Sequence, residues 1–300
     1  MVTKSDKIIF GAIALLVFLT FVFRSDVKSL ATGSEDGMFQ RQENDGQLAT
    51  SGAASFEDVQ VLQQWDLPPV LKEISGIAYI DNQRFACVQD ESGTIYIFNI
   101  NSKKIEKEIP FAGAGDYEGI ALKGDHAYVV RADGTLYEVD MNGKNKTNEY
   151  STSLTAKHNV EGLCYDKNND RLLLAIKNDE PSGVGYKGIY AFNLATKKFQ
   201  SEPAFKLDLS HKLLSDGKKK KKVMMPSEIE IHPQTNEIYI TDGPKGNLLI
   251  LDKSGTPRQL VSLGKKFAQP EGITFSPKGE LFISNEGTKK PGNILKVELK

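Results

Sequence analysis

One short segment recurs along this chain at a fixed interval. Ser75-Gly76-Ile77-Ala78 returns as Glu118-Gly119-Ile120-Ala121, Glu161-Gly162-Leu163-Cys164, Glu228-Ile229-Glu230-Ile231 and Glu271-Gly272-Ile273-Thr274, at steps of 43, 43, 67 and 43 residues. A period of this size marks units that cannot bury a core alone and must stack on copies of themselves. Each unit continues with a second β-rich run: Phe85–Gln89, Ala127–Val130, Leu172–Ile176, Ile238–Thr241 and Leu281–Ser284. A third follows at Thr94–Ile100, Thr135–Asp140, Gly188–Leu194, Asn247–Asp252 and Asn293–Leu299. Ser92-Gly93, Asp133-Gly134 and Asn142-Gly143 supply turns, and polar runs such as Ile105–Ile109 and Gln259–Leu263 close the unit. Four short antiparallel strands per unit make a propeller blade.

Five markers predict an all-β, five-bladed propeller over residues 58–300 with four-stranded antiparallel blades. The last unit stops after its third strand, and the strand-like run Val59–Asp66 lies unassigned before the first marker. Pairing the two would close the ring and leave no long unpaired sheet edge. The long step implies an insertion of 24 residues near 205–225, too short for a sixth blade. The marker glycines fit inner strands that crowd around the axis, where small residues are needed.

Ahead of the repeats the chain changes character. Lys4 and Lys7 precede an apolar run from Ile8 to Phe23, followed by Arg24, and no convincing small-x-small cleavage site follows directly, so an anchor is favoured over a removed signal peptide. Residues 1–24 are expected to form a cytoplasmic tip and an uncleaved signal-anchor helix, with positive charge held inside. Residues 25–57, polar and glycine-rich, read as a flexible linker. These features predict a single-pass inner-membrane protein with its propeller on the periplasmic side. A net charge of −1 over 300 residues gives no electrostatic footprint for nucleic acid. Cys87 and Cys164 lie inside apolar runs and read as buried free thiols.

Two columns of the repeat carry chemistry. One position before the glycine stand Ser75, Glu118, Glu161, Glu228 and Glu271. Equivalent positions of a propeller lie on a circle, so four carboxylates approach one another at one channel mouth. Packed carboxylates repel and are costly to desolvate, so some stay protonated or a cation neutralises them. Ca²⁺, with six to eight flexible oxygen ligands, suits such a ring. The histidines (His126, His158, His211 and His232) show no zinc-type spacing. The other reading makes the glutamates architectural, capping backbone amides of neighbouring blades. The second column, at the end of each second strand, holds Asp90, Arg131, Lys177, Asp242 and Asn285. Asp90, Asp242 and Asn285 would add oxygen donors. Arg131 and Lys177 would either neutralise Glu118 and Glu161 or hold an anionic ligand group beside the metal.

Other patterns are weaker. Asp166-Lys-Asn168-Asn-Asp170 lacks the glycine and closing glutamate of a calcium loop and reads as a hairpin turn. The five lysines Lys218–Lys222 read as a solvated loop within the insertion.

Together the motifs Glu73-Ile-Ser75-Gly76-Ile77-Ala78, Val88-Gln-Asp90-Glu91-Ser-Gly93-Thr-Ile-Tyr96, Asp116-Tyr-Glu118-Gly119-Ile120-Ala121 and Pro226-Ser-Glu228-Ile-Glu230-Ile-His232-Pro233 have a familiar order and spacing. In these the sequence resembles the SdiA-regulated family, which includes the YjiK-like proteins of bacteria. The resemblance implies a five-bladed propeller, distantly similar to NHL-repeat propellers, with a calcium site and no established catalysis. It places calcium ligands at Glu118, Glu161, Glu228 and Glu271, with Asp90 and Asp242 as further candidates. Ser75 interrupts the acidic column, where Glu73 or Asp90 could compensate.

The function expected is a membrane-anchored, calcium-binding module presenting its channel mouth to a cell-envelope ligand or protein. The competing reading is a Ca²⁺-dependent esterase, lactonase or phosphoesterase, with Arg131 and Lys177 on the anion and His158 as general base. A scaffold role is the third.

Overall fold

The computed structural model describes residues 59–144, 146–215 and 224–300. The expected signal anchor, the linker and the lysine run Lys218–Lys222 lie outside these. Among the described residues no helix is long and apolar enough to cross a membrane.

Among the described residues twenty strands form five four-stranded antiparallel sheets, each one blade. The inner strands are Ile74–Asp81, Tyr117–Lys123, Val160–Asp166, Pro226–Ile231 and Pro270–Phe275, for blades one to five. Each touches the inner strand of the next blade, and the fifth touches the first, so the ring closes. Val59–Asp66 pairs antiparallel with Asn293–Leu299 as the outermost strand of blade five. This is the closure read from the sequence. A register shift between Val61 and Gln63 leaves Leu62 extra and exposed.

The second strands explain the repeat's apolar runs. Leu172, Leu173, Leu174, Ala175 and Ile176 are all buried, because a blade is covered on both faces by its neighbours. Five apolar clusters result, one at each blade junction. Ile120 packs back against blade one, Leu163 against blade two and Ile229 against blade three. Cys87 and Cys164 are free and buried in these junctions, as the sequence suggested. The insertion extends blade three: its outer strand runs Lys198–Asp208, and Leu214 and Met224 pack beneath it against Leu207.

The inner strands crowd as expected. A Cβ on Gly76 would lie 2.9 Å from the carbonyl oxygen of Glu118, and one on Gly119 2.9 Å from that of Glu161. On Gly162 it would lie 2.8 Å from the Ile229 amide nitrogen.

Candidate functional site

A β-bulge opens each inner strand, and it sets which side chains ring the mouth. In blades one to three the strand pairing skips Ser75, Glu118 and Glu161, each followed by its glycine. In blade four it skips Ser227, between Pro226 and Glu228. Because Ile229 packs where Leu163 and Ile120 do, Glu228 occupies the glycine position and Ser227 the acidic column. This corrects the sequence alignment of blade four by one residue. The column therefore reads Ser75, Glu118, Glu161, Ser227, Glu271, with Glu228 entering from beside it.

Glu228 is fully buried, and its Oε1 accepts the backbone N–H of Leu163 in blade three and of Ile229 at 3.0 Å. One glutamate thus does cap a neighbouring blade, the architectural role considered for all. Its Oε2 accepts nothing. Burial pushes its pKa well above the carboxylate range, with the charges of Glu230 and Glu118 adding to the rise.

The other three glutamates gather around one ammonium. Lys177 Nζ donates to both Glu161 oxygens at 3.1 Å, and Asn159 Nδ2 donates to Oε1 at 2.5 Å. Burial alone would lower the Lys177 pKa, but Glu161, Glu271 and Glu118 outweigh it and raise it. Burial pushes Glu161 up to about 7 despite Lys177. Burial and the Glu161 charge push Glu271 up to about 8. Burial, Glu161 and Asp116 push Glu118 up to about 10. Buried carboxyls that feel one another's charge resist ionising together, which is the common cause of these raised values.

The second column divides. Lys177 reaches the ring; Arg131 does not. Its guanidinium turns to Asp133, with Nη2 2.7 Å from Oδ2, while Nη1 donates to the Tyr137 hydroxyl at 2.9 Å. The expected positive charge beside Glu118 is therefore absorbed by a local turn. Asp242 and Asn285 are buried at the strand ends, and Asp90 lies in the turn beyond Gln89. Burial pushes Asp90 up to about 6, helped by Glu73, Glu91 and Glu286, and pushes Asp242 up to about 6 against the pull of Lys245.

Sequence reading missed two acids here, Asp116 and Glu286. Asp116 lies two residues before Glu118, in a column that reads Glu73, Asp116, Asn159 and, beyond blade four, Gln269, at steps of 43, 43 and 110 residues. Gln269 donates to Glu286, and Asn159 to Glu161. The 43-residue step exposes that column too, had it been read beyond the acids. His158 stands apart. Its Nδ1 accepts the Thr155 backbone N–H at 3.0 Å and meets the Thr155 hydroxyl at 3.2 Å, so it pins a turn. Among the described residues no hydrogen bond joins it to Glu161.

Among the described residues Asp90 Oδ1, Glu228 Oε2, both Asp242 oxygens and Asn285 Oδ1 are buried without a close hydrogen bond, though the backbone N–H groups of Met225 and Lys245 favour the ionised Asp242. All five are acceptors, and all belong to residues singled out for this mouth. What they lack is a close donor or a cation, since a buried acceptor left bare is costly. An all-oxygen set with no thiol or imidazole fits a hard cation. Among the described residues no three such side chains converge into a ready-made metal site. A cation would have to draw carboxylates in and compete with Lys177.

With five closed blades and this mouth in view, the comparisons with known proteins fall into place. The family model for SdiA-regulated proteins matches residues 53–289. The chain belongs to the SdiA-regulated family. The propeller of this family member is also similar to the glutaminyl cyclase of Myxococcus xanthus, at 15% identity and a TM-score of 0.56, over 81% of this chain and 96% of that one. A protein of unknown function from Bacteroides thetaiotaomicron aligns at 13% identity and a TM-score of 0.54, over 80% and 76% of the two chains. At these identities the likeness is one of fold. No curated protein sequence matches the chain.

Proposed function

We propose that this protein is a membrane-tethered propeller of the cell envelope whose acidic mouth binds Ca²⁺ and, through it, an envelope ligand or protein. The observation that carries the reading is the set of bare buried oxygens on Asp90, Glu228, Asp242 and Asn285. Glu118, Glu161 and Glu271 would supply the negative charge, with Ser75 and Ser227 widening the ring between them. The bound ion would neutralise carboxyls that otherwise hold protons and would offer open coordination positions to a ligand oxygen. Lys177 would be released from Glu161 as the ion enters. The apolar run Ile8–Phe23 after Lys4 and Lys7 would hold the propeller at the membrane, on its extracytoplasmic side.

The test is thermal unfolding of the full chain during titration with CaCl₂ and MgCl₂ against EGTA. Calcium at about 100 times its Kd stabilises by roughly 2.7 kcal/mol, which raises Tm by several degrees. Magnesium, with its stricter octahedral demand, does less. A Tm that ignores calcium, or that rises equally in Glu161→Gln, sinks the reading.

A further inference from the structure

The other end of the channel has a different chemistry. The inner strands leave the axis there, and their ends enclose a cavity of about 370 Å³ to which all five blades contribute. That is within the size range of small-molecule pockets. Tyr79, Tyr165, Phe275, Leu122 and Ile231 form one part of its wall, and Asn168, Asn236, Thr274 and Ser276 form a polar part. Among these stands one carboxyl group without a basic partner, its pKa pushed up to about 8 by burial. Glu230, on the inner strand of blade four, accepts the Ile231 backbone N–H at 2.8 Å and a hydrogen bond from Thr274 on blade five. No ion pair to Glu230 exists among the described residues.

The neighbouring charges are accounted for. Asp166 at the same cavity is committed to Arg171 and Asn169, at 2.8 and 2.7 Å. Lys167 is exposed on the cavity rim. The aromatic walls are held in place from outside: the Tyr79 hydroxyl donates to Asn82 at 2.7 Å, and the Tyr165 hydroxyl to Asp170 at 3.0 Å. A cavity with an aromatic side and one unpaired acid favours a ligand that is apolar at one end and cationic at the other, whose charge would hold Glu230 ionised. A carboxylate neutralises the charge, and aromatic rings attract ammonium groups further.

We propose that this mouth is a second binding site, for a small organic amine whose ammonium pairs with Glu230 and whose apolar body lies among Tyr79, Tyr165 and Phe275. The site is separate from the acidic mouth and does not rest on calcium binding there. Glu230→Gln keeps the shape and the Ile231 hydrogen bond while removing the charge.

The experiment is calorimetric titration of the full chain with phenethylamine and with 2-phenylethanol, its uncharged counterpart. The amine is expected to bind at least tenfold tighter than the alcohol, and Glu230→Gln to erase that difference. Glu161→Gln, at the opposite mouth, leaves it intact. Equal binding of amine and alcohol to the wild type, or no measurable binding of either, overturns the proposal. So does amine binding lost in Glu161→Gln but kept in Glu230→Gln, which would place the amine on the acidic ring. Should Glu230→Gln not fold, Tyr165→Leu replaces it, with a several-fold loss of amine affinity expected and no loss counting against the site.

Discussion

The two mouths of one channel are built by the same five strands, yet they treat charge in opposite ways. At the strand starts, bulges aim Glu118, Glu161 and Glu271 toward one another, and a single lysine is left to answer them. At the strand ends the wall is part aromatic and part polar, and of its two acids Asp166 is paired with Arg171 while Glu230 has no basic partner. The period of the repeat places equivalent residues on circles at both ends. An acid repeated on such a circle creates a field that needs protons or a cation. An acid left without a basic partner at the other end offers a point of recognition.

The sharpest break of this arrangement would come from the wall the mouths share. In Gly162→Val the new side chain meets the backbone of blade four, already 2.8 Å from where a Cβ would sit. Overpacking against backbone costs on the order of 3 kcal/mol or more, so the variant is expected to be insoluble or to unfold early in urea. Glu228 shows that the same position in blade four holds a long side chain, so Glu228→Ala is the milder control.

Next in size is Lys177→Met, which strips the acidic mouth of its ammonium. Breaking a largely buried pair costs roughly 3 kcal/mol. The loss should be seen in denaturant melts at pH 8 in EGTA and should shrink when millimolar calcium is added. A variant as stable as wild type would mean that Lys177 does not hold the ring together.

A smaller effect separates the mouth from the blade exteriors by pH. Glu161 and Glu271 have folded pKa values of about 7 and 8, above the ordinary 4.5. Between pH 5 and 8 the folded protein thus binds more protons than the unfolded chain, so metal-free stability falls as pH rises through this window. The slope is at most roughly 1.4 kcal/mol per pH unit for each titrating carboxyl. Calcium, which needs the ionised forms, should flatten or reverse the slope. Glu138, on the flank of blade two, runs the other way. Burial raises it, but Lys197, Tyr150 and Tyr128 together pull it down to about 2, so its contribution is lost only in acid. Tm measured across pH 5–8 with and without calcium checks both signs.

The smallest expected effect is His158→Ala. The ring only ties a turn to Thr155, so stability should change by about 0.5 kcal/mol or less. Calcium affinity should not move, and any loss would restore His158 to the site.

Much of the architecture could be read before any coordinate. The 43-residue step carried the blade count, the inner-strand glycines and the closing strand Val59–Asp66, because a repeat fold is nearly one-dimensional. The site was less legible. Blade four misled because its Glu-Ile pair imitates the Glu-Gly pair of the others, and only the packing of Ile229 shows the one-residue slip. Arg131 and Lys177 look equivalent in sequence. A turn acid, Asp133, takes the first, while Glu161 holds the second.

By itself, then, the sequence determined five blades and the residue types available at each circle, since both follow from period and composition. Only the tertiary structure decided which of those residues meet. Side-chain direction at a bulge depends on one residue of register, and a charge pairs with whichever partner lies nearest in space. The two ends of the channel thus diverge from a single repeated strand.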